Sequence, residues 1–197
     1  MSPLRLLVFL GSTRDGRLGE NVAKSVVNSL KQRNHDVELI DPLTLGSNGH
    51  VSQPLHFYKD QSQAPEWMIK TNAKIQAANG LIIVTPEYNC MLPPGLTSMM
   101  DQFPPASYRY KPCGIICYSM GPFGGLRAAA FARPFLSELG LVSTPQVCVI
   151  PHVQGKFNDE GECQDERVKK NMEKVIDEIQ WYGSAIMDKI KADGLPS

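Results

Sequence analysis

The run Leu81, Ile82, Ile83, Val84 is preceded by Gly80 and followed directly by Thr85-Pro86-Glu87-Tyr88-Asn89. A stretch this apolar, closed by glycine on one side and proline on the other, predicts a central strand of a parallel sheet, covered on both faces. The polar residues then fall at the strand's carboxyl end. In an open α/β sheet ligands bind along that edge, in the crevice where the strand order reverses. Pro86, Glu87, Tyr88 and Asn89 are therefore the first candidate ligand contacts.

The rest of the chain supplies the sheet. Leu4 to Leu10 reads as a first strand, Val22, Val26 and Leu30 recur at helical spacing, and Asp36 to Ile40 makes a second strand, which together form a β-loop-α-β unit. A helix after Pro65 carries Trp67, Ile69, Ala73, Ile75 and Ala77 and leads into the central strand. Beyond it come a short helix over Leu96 to Asp101, a strand over Cys113 to Tyr118, a helix over Leu126 to Leu139 and a strand over Gln146 to Ile150. Pro134 predicts a kink or break in that helix, and Gly140 a cap at its end. The last helix is set by Val168, Met172, Val175, Ile179, Ile186 and Ile190, with Lys and Glu on the opposite face. Five strands and five helices in strict alternation predict one flavodoxin-like domain over residues 1–197, a doubly wound α/β fold with sheet order 2-1-3-4-5. Residues 42 to 65 form a long polar connection that reads equally as a functional loop or as a surface excursion pinned by Leu55, Phe57 and Tyr58.

Composition excludes several classes. Lys plus Arg equals Asp plus Glu, 20 against 20, so no overall field favours nucleic acid or an acidic membrane surface. No run reaches the roughly 20 apolar residues of a membrane span, and Met1 to Leu10 lacks a signal-peptide cleavage pattern, so a soluble chain is expected. The five cysteines, at 90, 113, 117, 148 and 163, are odd in number and lack C-x-x-C spacing. That argues against disulfides and zinc and for a reducing, cytoplasmic setting. Histidines 35, 50, 56 and 152 are scattered singly, and no metal site is expected.

The order 2-1-3-4-5 brings together the carboxyl ends of strands one, three and four. Gly11-Ser12-Thr13-Arg14-Asp15-Gly16-Arg17-Leu18-Gly19 combines hydroxyls, glycines, two cations and a helix N-terminus, the parts that suit a phosphomonoester. It is neither G-x-G-x-x-G nor a Walker loop. Pro86 to Asn89 offers a rigid turn, a carboxylate, a phenol and an amide able to read a planar heterocycle, with Tyr88 as a packing surface or a partner contact. In Ser119-Met120-Gly121-Pro122-Phe123-Gly124-Gly125, glycines let backbone approach a flat ligand and Phe123 forms an apolar wall. Arg127 follows in the first turn of a helix, where the dipole disfavours it, so it serves a salt bridge or an anion contact.

These three segments together resemble the NADPH-dependent FMN reductase family, the flavodoxin-like quinone, azo and chromate reductases. The resemblance covers residues 4 to about 150. It implies FMN, with its phosphate at Gly11, Ser12, Arg14, Arg17, Leu18 and Gly19. The ring would lie between Pro86, Glu87, Tyr88, Asn89 and the third loop, Ser119, Met120, Gly121, Pro122, Phe123, Gly124 and Gly125. It also implies a homodimer or homotetramer with Glu87 and Tyr88 near the subunit contact. After Asn89 the chain reads Cys90-Met91-Leu92-Pro93-Pro94-Gly95, a departure from the family pattern. Cys90 is expected to be a packed free thiol, or else a redox-active one beside the ring. Met91, Met99 and Met100 are expected as core or interface filler.

The chemistry expected is ping-pong hydride transfer from NADPH or NADH through FMN to a quinone-like small acceptor. No Ser-His-Asp set or carboxylate pair calls for hydrolysis, and no catalytic side chain is assigned. Two other readings share the fold: a non-enzymatic electron carrier or flavin-dependent regulatory protein, which the neutral charge disfavours, and a phosphate-ligand binder without flavin. A second phosphate contact for NADPH would call on Arg109, Lys111 or Arg127.

Overall fold

In the computed structural model, which describes residues 2–46 and 53–196, five parallel strands run in the order 2-1-3-4-5. They are β1 (Arg5–Leu10), β2 (Asp36–Ile40), β3 (Gly80–Pro86), β4 (Pro112–Tyr118) and β5 (Val142–Ile150). Every residue of β3 and β4 is buried, as expected of strands covered on both faces, whereas β2 and β5 at the edges are partly exposed. Alternation along β1 divides the core in two. Leu7 and Phe9 join Leu81, Ile83 and Ile115 under one layer of helices, while Leu6, Val8 and Leu10 join Ile82, Val84 and Ile116 under the other.

The first layer holds α2 (Glu66–Ala77), α3 (Pro94–Asp101), α4 (Pro105–Tyr108) and α5 (Leu126–Glu138), and the second holds α1 (Gly19–Gln32) and α6 (Glu166–Asp193). Asp165 caps α6 by accepting from the Arg167 and Val168 amides at 3.0 and 3.1 Å. Gly114 lets α6 lie on β4, because a Cβ there would stand 2.7 Å from Val175 Cγ1.

Strict alternation with five helices does not hold: between β3 and β4 the chain makes both α3 and the four-residue α4, each opened by proline at its first turn. Nor does Pro134 break α5, which runs through it to Glu138. Pro134 and Ala130, whose carbonyl loses its partner, are both exposed to water, while Ala128, Ala129, Ala132 and Leu136 hold the opposite face in the core. Gly140, at φ 83°, ends the helix as a Schellman cap: its amide donates to Ser137 and that of Leu141 to Leu136, both at 2.9 Å.

In the 42–65 connection, residues 47–52, His50 among them, lie outside the described residues. Two 3-10 turns, Leu55–Phe57 and Gln61–Gln63, occupy its second half. Leu55 is buried and Tyr58 packs on the core, but Phe57 is exposed and pins nothing. β5 begins earlier than the apolar run suggests and admits Pro145, as an edge strand can.

Candidate functional site

The loops after β1, β3 and β4 meet at the carboxyl edge around a cavity of about 530 Å³. The first leaves β1 with the Gly11 amide donating to Val84 at 2.9 Å. Ser12 Oγ then shares a hydrogen bond of 2.7 Å with the Tyr88 hydroxyl, linking the first and second loops. Arg14 lays its guanidinium 3.7 Å above the Tyr88 ring and, among the described residues, enters no ion pair.

Arg17 is placed differently. Both guanidinium nitrogens grip Asp41, at the end of β2, Nη1 at 2.7 Å. Nη1 also donates to the Ser12 carbonyl at 2.8 Å and Nη2 to Glu20 at 3.2 Å. The Arg17 and Asp41 side chains are only 7% and 9% exposed. The bond to Asp41 outweighs burial and raises the Arg17 pKa. Arg17 therefore lines the cavity as a cross-link between the first loop and β2, with most of its charge answered by carboxylates.

Leu18, at the N-cap of α1, lines the cavity and has no oxygen to offer the first-turn amides, of which that of Gly19 is bound to the Tyr118 phenol. Gly19 is required by Tyr118: a Cβ there would fall 2.1 Å from the Tyr118 hydroxyl. Burial, helped by the nearby Tyr88 phenol, raises the pKa of Tyr118 against the opposing pull of Ser12, Arg17 and the Gly19 amide. Its phenol is neutral at physiological pH.

The second loop is a two-residue hairpin. Tyr88 and Met91 exchange both backbone hydrogen bonds at 3.0 Å, with Asn89 at φ 51° and Cys90 at φ 66° in its centre. Two positive φ angles make this the turn that normally asks for Asn-Gly, and cysteine takes the glycine position. Cys90 is exposed, so it is not the packed thiol expected. Cys113, Cys117 and Cys148 are buried, and desolvation pushes each up to about 12. Met99 and Met100 belong to the core, while Met91 is exposed.

Glu87 lines the cavity while its carboxylate binds the start of α5. Its carboxylate accepts from the Arg127 and Ala128 amides at 3.0 and 3.3 Å and from Arg127 Nε at 2.6 Å. It caps α5, whose own N-cap is Gly125, and its side chain is 4% exposed. Burial pushes the Glu87 pKa up, but the bonds from Arg127 and the two amides together outweigh it and leave it lowered. Of the two roles open to Arg127, the salt bridge is the one it makes.

In the third loop Gly124 and Gly125 have φ of 60° and 86°, and a Cβ on either would meet backbone atoms within 3 Å. A Cβ on Gly121 would meet nothing within 4 Å. Phe123, 59% exposed, and Met120, 65% exposed, stand at the cavity's rim.

Ser12, Arg14, Arg17, Leu18, Pro86 to Asn89, Ser119, Met120, Gly121 and Phe123 thus line one cavity. Gly11, Gly19, Pro122, Gly124 and Gly125 are not part of that lining; Pro122 is exposed, and the four glycines permit close packing of the loops. Tyr118 and Val153 line it without having been picked out from sequence. Tyr118 ends β4 at the carboxyl edge, a position that marks it; Val153 carries no such signal. Arg109 and Lys111 lie just before β4, at the opposite edge, and do not reach this cavity.

The residues present fit a ligand with an anionic head and a flat body: the N-terminus of α1 and Arg14, which enters no ion pair among the described residues, suit the head, and the open space over Gly121 suits the body. Among the described residues no group of three His, Cys, Asp or Glu side chains could hold a metal ion, and no helix is long and apolar enough to cross a membrane.

Sheet order and a cavity at the carboxyl edge define a flavodoxin-like α/β protein. Residues 4–155 match the sequence profile of NADPH-dependent FMN reductases, and the chain belongs to that family, whose members use FMN with NAD(P)H as electron donor. It is 26% identical over 192 residues to the 2-hydroxy-1,4-benzoquinone reductase of a Burkholderia species, covering 94% of this chain and 98% of that one. To the quinone reductase of Escherichia coli K12 it is 30% identical over 141 residues, 68% of this chain and 69% of that one. FerB, the flavoenzyme NAD(P)H:(acceptor) oxidoreductase of Paracoccus denitrificans, superposes with a TM-score of 0.69 at 23% identity, covering 92% and 98% of the two chains.

Proposed function

We propose that the carboxyl-edge cavity holds FMN and that the chain uses it to pass electrons from NAD(P)H to a quinone-like acceptor. The observation that carries this reading is the convergence of three loops on one cavity, lined by Arg14 stacked on Tyr88, by Leu18 at the α1 N-terminus, and by Asn89 and Gly121. When bound, FMN supplies the two-electron chemistry that no side chain here provides.

Arg14 and the α1 amides bind the phosphate, by charge-assisted hydrogen bonds and the helix dipole. Arg17 orients that loop by tying Ser12 to Asp41. The Asn89 amide and the Ser119 to Gly121 backbone are assigned to the ring's polar edge, the Tyr88 ring carries Arg14, and Phe123 and Met120 shield the mouth from water. Glu87 and Arg127 hold the second and third loops at a fixed separation. Exposed Met91, Phe123, Leu126 and Phe131 support burial of this side of the molecule in a homodimer or homotetramer. The unlinked thiols support a cytoplasmic setting.

The test is direct. Purified protein incubated with FMN is expected to retain a flavin spectrum and to oxidise NADPH or NADH steadily with a benzoquinone. Flavin without turnover would make the chain a carrier, and no flavin would end the proposal. Arg14→Ala is expected to weaken FMN binding about 10- to 100-fold, the loss of one charged hydrogen-bonding group; unchanged affinity would mean the phosphate lies elsewhere.

A further inference from the structure

At the amino edge of the sheet, on the far side from the flavin cavity, a second cavity of about 460 Å³ opens between the α4–β4 connection and the end of α6. Arg109, Tyr110 and Lys111 line it on one side, and Ile186, Met187 and Ile190 on the other. We propose that this cavity is a second ligand site, for a small organic anion whose charged head is held by Arg109 and Lys111 and whose apolar body lies against α6.

Three observations carry it. The first is size and surface: the volume suits a molecule of one or two rings, and one wall is apolar while the other is cationic, the mixture a small-molecule site presents. The second is charge. Among the described residues neither Arg109 nor Lys111 enters an ion pair, although every other basic residue named at the opposite cavity except Arg14 is answered by a carboxylate. Lys111 is partly buried, and desolvation alone lowers its pKa with no acidic neighbour to offset it. A cation withdrawn from water without a partner is an unfilled half of an interaction.

The third is backbone. Tyr110, between the two cations, holds φ 63°, a conformation rare for aromatic residues. Its amide is fixed in that state by the Gly140 carbonyl at 3.1 Å, and Gly140 in turn leaves room for the Arg109 stem, since a Cβ there would stand 2.5 Å from Arg109 Cγ. The Schellman glycine of α5 therefore also shapes this segment. The Arg109 guanidinium lies over the Tyr110 ring, 5.4 Å from its centroid, and both cations line the cavity. Gln76 and Asn79 also line it, and no acidic residue is among the residues that do.

The probe is 1-anilinonaphthalene-8-sulfonate, an aromatic anion that fluoresces when removed from water, titrated into FMN-loaded protein so that the flavin cavity is filled. A saturable component is expected in wild type, weakened at least tenfold in the Arg109→Gln, Lys111→Met double variant and displaced by millimolar inorganic phosphate. N-phenyl-1-naphthylamine, which lacks the sulfonate, is expected to bind wild type at least tenfold more weakly. Equal affinity of wild type and double variant for the sulfonate would overturn the proposal, as would equal affinity of wild type for the two probes.

Stability separates loss of the site from loss of the fold. Lys111→Met removes a partly desolvated cation and is expected to keep or raise the thermal midpoint and leave FMN content and quinone turnover unchanged. Should the double variant unfold, the exposed Arg109→Gln alone is expected to weaken the sulfonate at least threefold, and no change in that variant refutes the assignment.

Discussion

At the carboxyl edge of the sheet three arginines line a cavity of about 530 Å³; at the amino edge Arg109 and Lys111 line one of about 460 Å³. In the first, two of the three cations are bound to carboxylates, Arg17 to Asp41 and Arg127 to Glu87, and only Arg14 is left for a ligand. In the second, among the described residues, neither cation has such a partner. The difference separates two uses of positive charge. Most of the charge at the carboxyl edge holds loops in place, so the site's shape exists before anything binds, and the glycines outside the lining allow the loops to close on one another. The amino edge is shaped by α6 and one strained residue, and its charge is not consumed in holding it together.

If the carboxyl edge depends on backbone closure, its glycines are where it breaks first. Gly125→Ala would force a side chain into a left-handed position and against the Tyr118 amide at 2.8 Å. We expect a loss of about 3 kcal/mol in unfolding free energy, together with loss of FMN retention. Gly121→Ala, with open space around its Cβ, is expected to stay within about 0.5 kcal/mol in the same denaturant titration. Equal effects at the two positions would mean that the close approach at Gly125 is not what shapes the loop.

The next largest effect tests the pairing of charge. Asp41→Asn leaves Arg17 nearly buried without its main partner, and a loss of about 2 kcal/mol is expected, below the usual cost for a fully buried pair because Glu20 and the Ser12 carbonyl remain. FMN affinity should fall less than in Arg14→Ala. A rise in affinity would show that Arg17, once freed, binds the phosphate, and that the two arginines are interchangeable.

These pairings mark the limit of what the sequence makes legible. β3 and β4 are recognisable because an apolar run between punctuating residues has one use in a sheet, and once they are placed the order 2-1-3-4-5 and the meeting of three loops follow. The close-packed glycines Gly124 and Gly125 are likewise read from their own neighbours. Glu87 is different: its partner amides lie 40 and 41 residues on, and nothing local distinguishes a carboxylate that reads a ligand from one that caps a distant helix. Arg17 and Asp41, 24 residues apart, show the same blindness. Pro134 misleads for a related reason, because whether a helix tolerates proline depends on which face meets water, and that is decided by tertiary packing. Cys90 misleads because a free thiol is usually buried, while the turn it occupies is solvent-facing.

Glu87→Gln should cost less, about 1 kcal/mol, the loss of one charged helix cap. Here pH supplies the sharper reading. The folded-state pKa of Glu87 lies below its unfolded value of about 4.3, so its stabilisation is fully present above that pH and is lost as pH falls through the lower, folded value. The gap between wild type and Glu87→Gln should be constant from neutral pH down to about 5, narrow below the unfolded value and close once pH is below the folded one. A gap independent of pH would mean that the carboxylate's shape, not its charge, holds the second and third loops together.

The smallest effect belongs to the other edge. Arg109→Gln keeps the stem carbons that pack at Gly140 and removes an exposed cation with no carboxylate partner among the described residues. Surface changes of that kind stay within about 0.5 kcal/mol, and no more is expected here. If Arg109→Gln instead cost as much as Asp41→Asn in the same titration, its guanidinium would have to be holding the fold. The contrast between an edge that consumes its charge and one that does not would then fail.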